Sequence, residues 1–271
     1  MQHGEVGLRG TQDLIPEVRQ ARIAESVWEL GFARVMELAE RFGVSAVTVR
    51  NDLSILEERG AVRRVRGGAV KSSVQLGERA FEVSLGESAK EKAGIGAYAA
   101  QMVSSGQTVM LDVGTTTTAV ARSLRHRTEL ADVTVVTNAI NIALELERAA
   151  PRITVLVTGG TLRPLQHSLV NPLGTTLLEH LRGSVAFVGC NGVDPEAGIT
   201  NVNLPEAEIK RAMLLAARRR VIVADGSKVG EVELAKVCEL EEVTLLITDP
   251  TADPDVLTEI AAAGCQVELA G

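Results

Sequence analysis

Aromatic residues are scarce in this sequence: one Trp, one Tyr and four Phe among 271 residues. A core must therefore be built from Val, Leu, Ala and Ile, and a hydrophobic content of 45% suffices for a substantial one. Cysteine is equally sparse. Cys190, Cys238 and Cys265 are odd in number, widely spaced and without a CxxC, which speaks against a disulfide framework and fits buried, reduced thiols. Four scattered His residues have no metal-ligand spacing, so no metal is expected. No Walker motif and no GxGxxG is present, so nucleotide chemistry is poorly supported and no cofactor is expected. No apolar run reaches the length that spans a bilayer, and the N-terminus lacks a signal-peptide pattern. A cytoplasmic protein without a membrane partner is the expectation.

Positive charge is in deficit overall, at a formal −7, yet the deficit is local. Residues 1–71 hold 11 Lys/Arg against 10 Asp/Glu, and the remaining 200 hold 17 against 25. Within 45–71 there are six basic residues and three acidic ones. A basic segment on an otherwise acidic chain is the distribution that phosphate attraction favours.

That basic segment has a pattern. Val35, Leu38, Ala39 and Phe42 form the apolar face of a short helix, which Gly43 stops. Ser45 is a good N-cap for a second helix whose buried stripe is Val49, Leu53 and Leu56. Two helices joined by so tight a turn form a helix-turn-helix, whose second helix enters a major groove. Ser45, Ala46, Thr48, Arg50 and Asn51 would then face DNA. Gly60 would end that helix. Alternating residues from Ala61 to Val70 read as a β-wing bent at Gly67-Gly68, with Arg63, Arg64 and Arg66 on phosphates. Spacing alone also fits a small packed unit with no partner. The run ELAERFGVS-x-x-T-V-R-x-D-L-x-x-LEERG-x-x-R-R-x-x-GGA, however, resembles the N-terminal signature of the DeoR family of bacterial sugar-metabolism regulators. It departs at Asn51, where the family usually has a basic residue, and at Arg66, where it has His.

Residues 1–16 read as a loose tail, 17–71 as the winged helix-turn-helix domain with a first helix over about 17–30, and 72–86 as a linker. The remainder, 87–271, reads as an effector-binding and oligomerisation domain. After a helix over about 87–103, short β-branched apolar runs at 108–113, 133–137, 153–158, 184–189, 221–225 and 243–248 alternate with helices near 117–125, 139–149, 173–182, 205–219 and 254–263. Such alternation predicts an α/β domain with a mainly parallel sheet covered on both faces, and ligands at the carboxyl ends of its strands.

At the end of the first of those runs stands Gly114-Thr115-Thr116-Thr117-Thr118, followed by a helix. Converging amides and hydroxyls make this either a phosphate site or an ordinary Thr-rich helix cap. Asn138, Thr158-Gly159-Gly160, Cys190-Asn191-Gly192, Asp194 and Asp225-Gly226-Ser227-Lys228 lie at neighbouring strand ends. Glu206 and Lys210 stand one helical turn apart, the spacing of a surface salt bridge and equally of a ligand pair.

The segments EKAGIGAYAAQMV, LDVGTTTTA, TVVTNAINIALEL, TGGTLR, FVGCNGVD, EAEIKRAM and VADGSK resemble, in order, the DeoR-family effector domain. That domain is similar in fold to ribose-5-phosphate isomerase. The resemblance implies a phosphorylated sugar, or a close intermediate, as effector. It implies contacts from Lys92, Asp112, Gly114, Thr115, Thr116, Thr117, Asn191, Asp194, Glu206, Lys210 and Lys228. An isomerase is the alternative, and Glu206 is the one candidate base for it. The isomerases carry Asp-Gly-Ala-Asp where this chain has Cys190-Asn191-Gly192-Val193-Asp194, and their catalytic Glu falls near Lys210. The expectation is therefore a regulator and not an enzyme: a DNA-binding repressor of carbohydrate genes. Its partners would be double-stranded operator DNA, a phosphorylated sugar, and itself as dimer or tetramer.

Overall fold

The computed structural model describes residues 15–58, 61–71 and 78–271. The chain divides into two compact units, Met1–Val83 and Ser84–Gly271.

In the first unit, helix α1 (Pro16–Leu30) opens on a proline, whose missing amide costs a helix start nothing, and ends at Gly31 in the left-handed region. Strand β1 (Phe32–Arg34) leads directly into α2 (Val35–Phe42), which buries Val35, Leu38, Ala39 and Phe42 as its spacing predicts. Gly43, at φ 65°, turns the chain, and α3 (Ala46–Glu58) follows. The Ser45 hydroxyl accepts the Thr48 amide at 3.0 Å, so Ser45 is the N-cap. Gly60, expected to end α3, lies outside the described residues.

Strands β2 (Val62–Val65) and β3 (Gly68–Lys71) form the wing hairpin, and β1 completes the sheet in the order β1-β3-β2. Two details correct the sequence reading. The bend is Arg66-Gly67, with Gly67 at φ 87°, because Gly68 is already paired to Val65. Gly68 instead permits close packing: a β-carbon there would lie 2.2 Å from the Ala33 carbonyl oxygen on β1. The third strand was unreadable because three residues carry no usable period.

Helix α4 (Phe81–Gly86), within the segment expected as linker, runs across the division at Val83, and α5 (Ala89–Gln101) follows in the second unit. Seven parallel strands then form one sheet: β4 (Thr108–Leu111), β5 (Val133–Thr137), β6 (Ile153–Val157), β9 (Gly183–Val188), β12 (Ala217–Val223), β14 (Leu245–Thr248) and β15 (Gln266–Leu269). Their order is β15-β14-β12-β9-β4-β5-β6. Helices α6 (Thr115–His126), α7 (Ile140–Glu147), α8 (Leu173–Glu179), α9 (Leu204–Ala216) and α10 (Pro254–Ala262) lie between strands. Successive strand residues serve opposite faces. Val109, Leu111, Val185, Phe187 and Val221 belong to one apolar core, and Met110, Ala186, Val188 and Ile222 to the other. The central strands are therefore mostly apolar where both faces are buried, whereas β15 at the edge (Gln266–Leu269) is largely exposed and the start of β12 carries Arg218, Arg219 and Arg220.

Differences from expectation fall where this rule weakens. Residues 217–219, read as the end of a helix, open β12, because Ala217 and Arg219 pair with Gly183 and Val185. The hairpin β7 (Thr161–Arg163) with β8 (Ser168–Val170) is short and polar, and its strands do not register as apolar runs. The same holds for the small sheet of β10 (Gly192–Asp194), β11 (Gly198–Asn201) and β13 (Ala235–Cys238). None of the helices among the described residues is long and apolar enough to cross a membrane.

One polar contact ties α1 to α3. Asp52, 3% exposed, receives Arg19 Nε at 2.7 Å and Gln20 Nε2 at 3.0 Å. Removing one partner of a buried ion pair costs about 3–5 kcal/mol, less when the survivor reaches water, and the Arg19 side chain is 13% exposed. Asp52→Ala is therefore expected to destabilise the first unit by about 3 kcal/mol. Urea titration followed by the fluorescence of Trp28, the chain's single tryptophan, measures this.

Candidate functional site

On α3, one solvent face carries Val47, Arg50, Asn51 and Ser54, the i, i+3, i+4, i+7 stripe opposite buried Val49, Leu53 and Leu56. Arg50 and Asn51 are exposed on it as expected. Ala46 and Thr48 are half-buried, and the Thr48 and Ser45 hydroxyls are 2.8 Å apart and paired with each other. Val47 was missed. It is 62% exposed, and a polarity-guided reading passes over an apolar residue although thymine methyls are read by such groups. The first turn of α3 holds no acidic residue, so its positive end stays open to phosphate.

The three wing arginines are not equivalent. Arg64 donates from Nη1 to Ser54 Oγ at 2.6 Å, and its amide donates to Glu57 Oε1 at 2.8 Å, which stitches the wing to α3. Arg63 and Arg66 are exposed, with no ion pair among the described residues.

In the second unit the chain runs β4, β5, β6 outward, then returns to lay β9 on the other side of β4. This reversal is a topological switch point, and sheets of this kind usually take ligands in the crevice at the carboxyl ends of such strands, here β4 and β9. Asp112 follows β4, and Gly189 and Cys190 follow β9. Gly114 caps α6 at φ 158°; its carbonyl accepts the Thr117 and Thr118 hydroxyls at 3.1 and 2.7 Å. The amides of Thr115, Thr116 and Thr117 have no acceptor within the helix, as at every helix start.

Lys210, on α9, is buried over this crevice. Its ammonium pairs with Asp112 Oδ2 and donates to the Gly189 carbonyl at 3.1 Å. Burial pulls the Lys210 pKa down, but Asp112 and then Glu206 overcome it and hold the ammonium above its ordinary range. That direction favours the charged form of Lys210. Glu206 is no freer: Arg163 Nη1 and Ser168 Oγ, the latter at 2.6 Å, both donate to its Oε1. Burial pushes the Cys190 thiol up to about 12, so it stays protonated and is no nucleophile.

Other expected contacts are differently occupied. Asn191 Oδ1 accepts the Val202 amide at 3.2 Å. Asp194 Oδ1 accepts the Glu196 and Ala197 amides at 2.9 and 2.7 Å and so closes the β10–β11 turn. Lys92 donates to the carbonyls of Ser84 and Glu87. Lys228, half-exposed at the end of a 3-10 turn after β12, has no hydrogen bond or ion pair to another side chain among the described residues.

Two site residues escaped the sequence reading. Arg163 stands in the quoted TGGTLR segment, but nothing local tells that it meets Glu206. Asn138 was noted only as a strand-end polar group. It takes the Val113 amide on Oδ1 at 3.0 Å and gives Nδ2 to the Leu169 carbonyl at 3.1 Å, which joins the β4–α6 loop to the β7–β8 hairpin. No group of three His, Cys, Asp or Glu among the described residues could hold a metal.

The chain matches the DeoR-like helix-turn-helix domain over residues 19–75 and the DeoR C terminal sensor domain over residues 87–250. It is 35% identical over 254 residues to the HTH-type transcriptional regulator GlpR of Haloferax volcanii, covering 94% of this chain and 98% of that protein. It is 32% identical over 270 residues to the putative aga operon transcriptional repressor of Escherichia coli O157:H7, covering 99% and 97%. Ribose 5-phosphate isomerase A from Methanocaldococcus jannaschii aligns with 51% of this chain and 52% of its own, at 16% identity and a TM-score of 0.37. The chain belongs to the DeoR family of transcription regulators and carries both of that family's domains, the DNA-binding helix-turn-helix and the C-terminal sensor.

Proposed function

We propose that this regulator is a cytoplasmic repressor of carbohydrate-metabolism genes, working as a dimer or tetramer on repeated half-sites and controlled by a phosphorylated sugar. The observation that carries the effector class is the switch-point crevice. Three helix-start amides at Thr115, Thr116 and Thr117, and the Lys228 ammonium, which has no side-chain partner among the described residues, have capacity to spare for an anion. Lys210 adds a fixed positive charge behind them, and Gly114 lets the backbone approach the phosphate closely. Asn191 keeps its amide nitrogen for a sugar hydroxyl, with Asp112 and Glu206 forming the polar floor. Repression is the role named for the aga operon relative and is carried over to this chain here.

The DNA reading rests on α3 and the wing. Val47, Arg50 and Asn51 form the face that would meet base edges, the N-cap turn of Ser45, Ala46 and Thr48 would meet the backbone, and Arg63 and Arg66 would hold phosphates. Arg64 supports the wing.

Three outcomes are expected. Arg50→Ala should weaken operator binding by about 1–3 kcal/mol and relax preference at one base pair, read by fluorescence anisotropy on matched and mismatched duplexes. Arg66→Ala should weaken all sequences alike and lower the salt slope by about one unit, and an unchanged slope would exclude the phosphate contact. For the sensor, calorimetry should show a sugar phosphate binding about 100-fold more tightly than its unphosphorylated sugar, the worth of two charge-assisted hydrogen bonds. Lys228→Met should remove about tenfold of that preference. Equal affinity for sugar and sugar phosphate would refute the phosphate site.

A further inference from the structure

Lys92 occupies a position that neither DNA reading nor effector binding explains. Its ammonium, on the first turn of α5, donates to the carbonyls of Ser84 and Glu87, both at 2.7 Å, and lies 3.8 Å from Asp225 Oδ2. Ser84 belongs to α4 and Glu87 immediately follows it. One buried cation therefore gathers carbonyls at the negative end of α4 and a carboxylate at the end of β12.

Asp225 is shared. Its Oδ1 accepts the Ser227 amide and hydroxyl at 3.2 and 2.5 Å, which shapes the 3-10 turn ending at Lys228. Burial lowers the Lys92 pKa, Asp225 raises it, and the nearby Lys228 charge lowers it again. An anion that neutralises Lys228 removes that repulsion and strengthens the hold of Lys92 on Asp225 and on the α4 carbonyls. The two charges are coupled by position. Ser84 to Gly86, the second half of α4, are in turn the first residues of the second unit, directly after the DNA-binding unit ends at Val83.

We infer that Lys92 is a positioning residue that transmits occupancy of the effector site to α4, and not an effector ligand. This rests on the reading that a phosphate binds at the β4–α6 loop and Lys228. The ligand supplies charge at Lys228, Asp225 carries the change, and Lys92 converts it into firmer closure of the last turn of α4.

Hydrogen–deuterium exchange on the full chain, with inorganic phosphate as the probe, tests this. In the unsubstituted protein phosphate should slow exchange both at 114–118 and at 84–88, the latter by about fivefold. Lys92→Met should keep the response at 114–118 and lose that at 84–88. Lys92→Arg, which retains a cation, should restore part of it. A Lys92→Met protein that loses protection at 114–118 would make Lys92 a ligand, and one that still responds at 84–88 would remove it from the route; either result overturns the inference. Protection of 114–118 alone in the unsubstituted protein overturns the Lys92 route while the phosphate site stands. Protection of neither segment overturns both.

Discussion

The sensor unit turns on one buried ion pair. Where β4 and β9 separate at the reversal of strand order, their ladder ends at Leu111 opposite Phe187. Beyond that point Asp112 takes the Gly189 amide on one carboxylate oxygen at 3.0 Å and the Lys210 ammonium on the other. Lys210 returns a hydrogen bond to the Gly189 carbonyl. The pair therefore replaces backbone pairing at the very place where the crevice opens, and it fastens α9 to both strands. Burying two charges is costly, and such pairs contribute more to a fixed arrangement than to stability. Here the fixed arrangement is the floor on which the Thr115–Thr117 amides, Cys190 and Asn191 stand.

The same pair explains why this scaffold serves sensing and not catalysis. A proton-transfer catalyst needs a base able to give and take a proton. Lys210 is held charged by two carboxylates, Glu206 is clamped by Arg163 and Ser168, and the Cys190 thiol is held protonated by burial. Among the described residues Lys228 has no side-chain partner, and the first amides of α6 have no acceptor within the helix.

Much of the architecture was legible in the sequence, for a physical reason. Strand segments buried on both faces are mostly apolar, so β4, β5, β9, β14 and the end of β12 stand out as runs, and β6 does so by its β-branched residues. Elements that bury one side or are very short, such as β1, the β7–β8 hairpin and the β10–β11–β13 sheet, leave no such trace. For the site, sequence spacing located the Gly-Thr turn and the Glu206–Lys210 pair. It could not tell which partner each would find: Asp112 lies 98 residues from Lys210, and Arg163 lies 43 from Glu206. In the DNA-binding helix the Thr48 hydroxyl is paired with Ser45, and the apolar Val47, which a polarity-guided reading passes over, is the more exposed. Lys92, chosen as a cation for phosphate, is occupied by backbone carbonyls that no local pattern announces.

A regulator with its helix-turn-helix in one unit and its sensor domain in the other must couple the two through a change in relative stability of two states, since a ligand acts only by binding those states differently. Linkage then fixes a number: the factor by which effector weakens operator binding equals the factor by which operator weakens effector binding. The decisive measurement is calorimetric titration of the most stabilising sugar phosphate into the free protein and into its saturated operator complex, beside operator affinity with and without that ligand. The account predicts two equal ratios, each well above one. An effector affinity that is identical in the presence and absence of operator would contradict it.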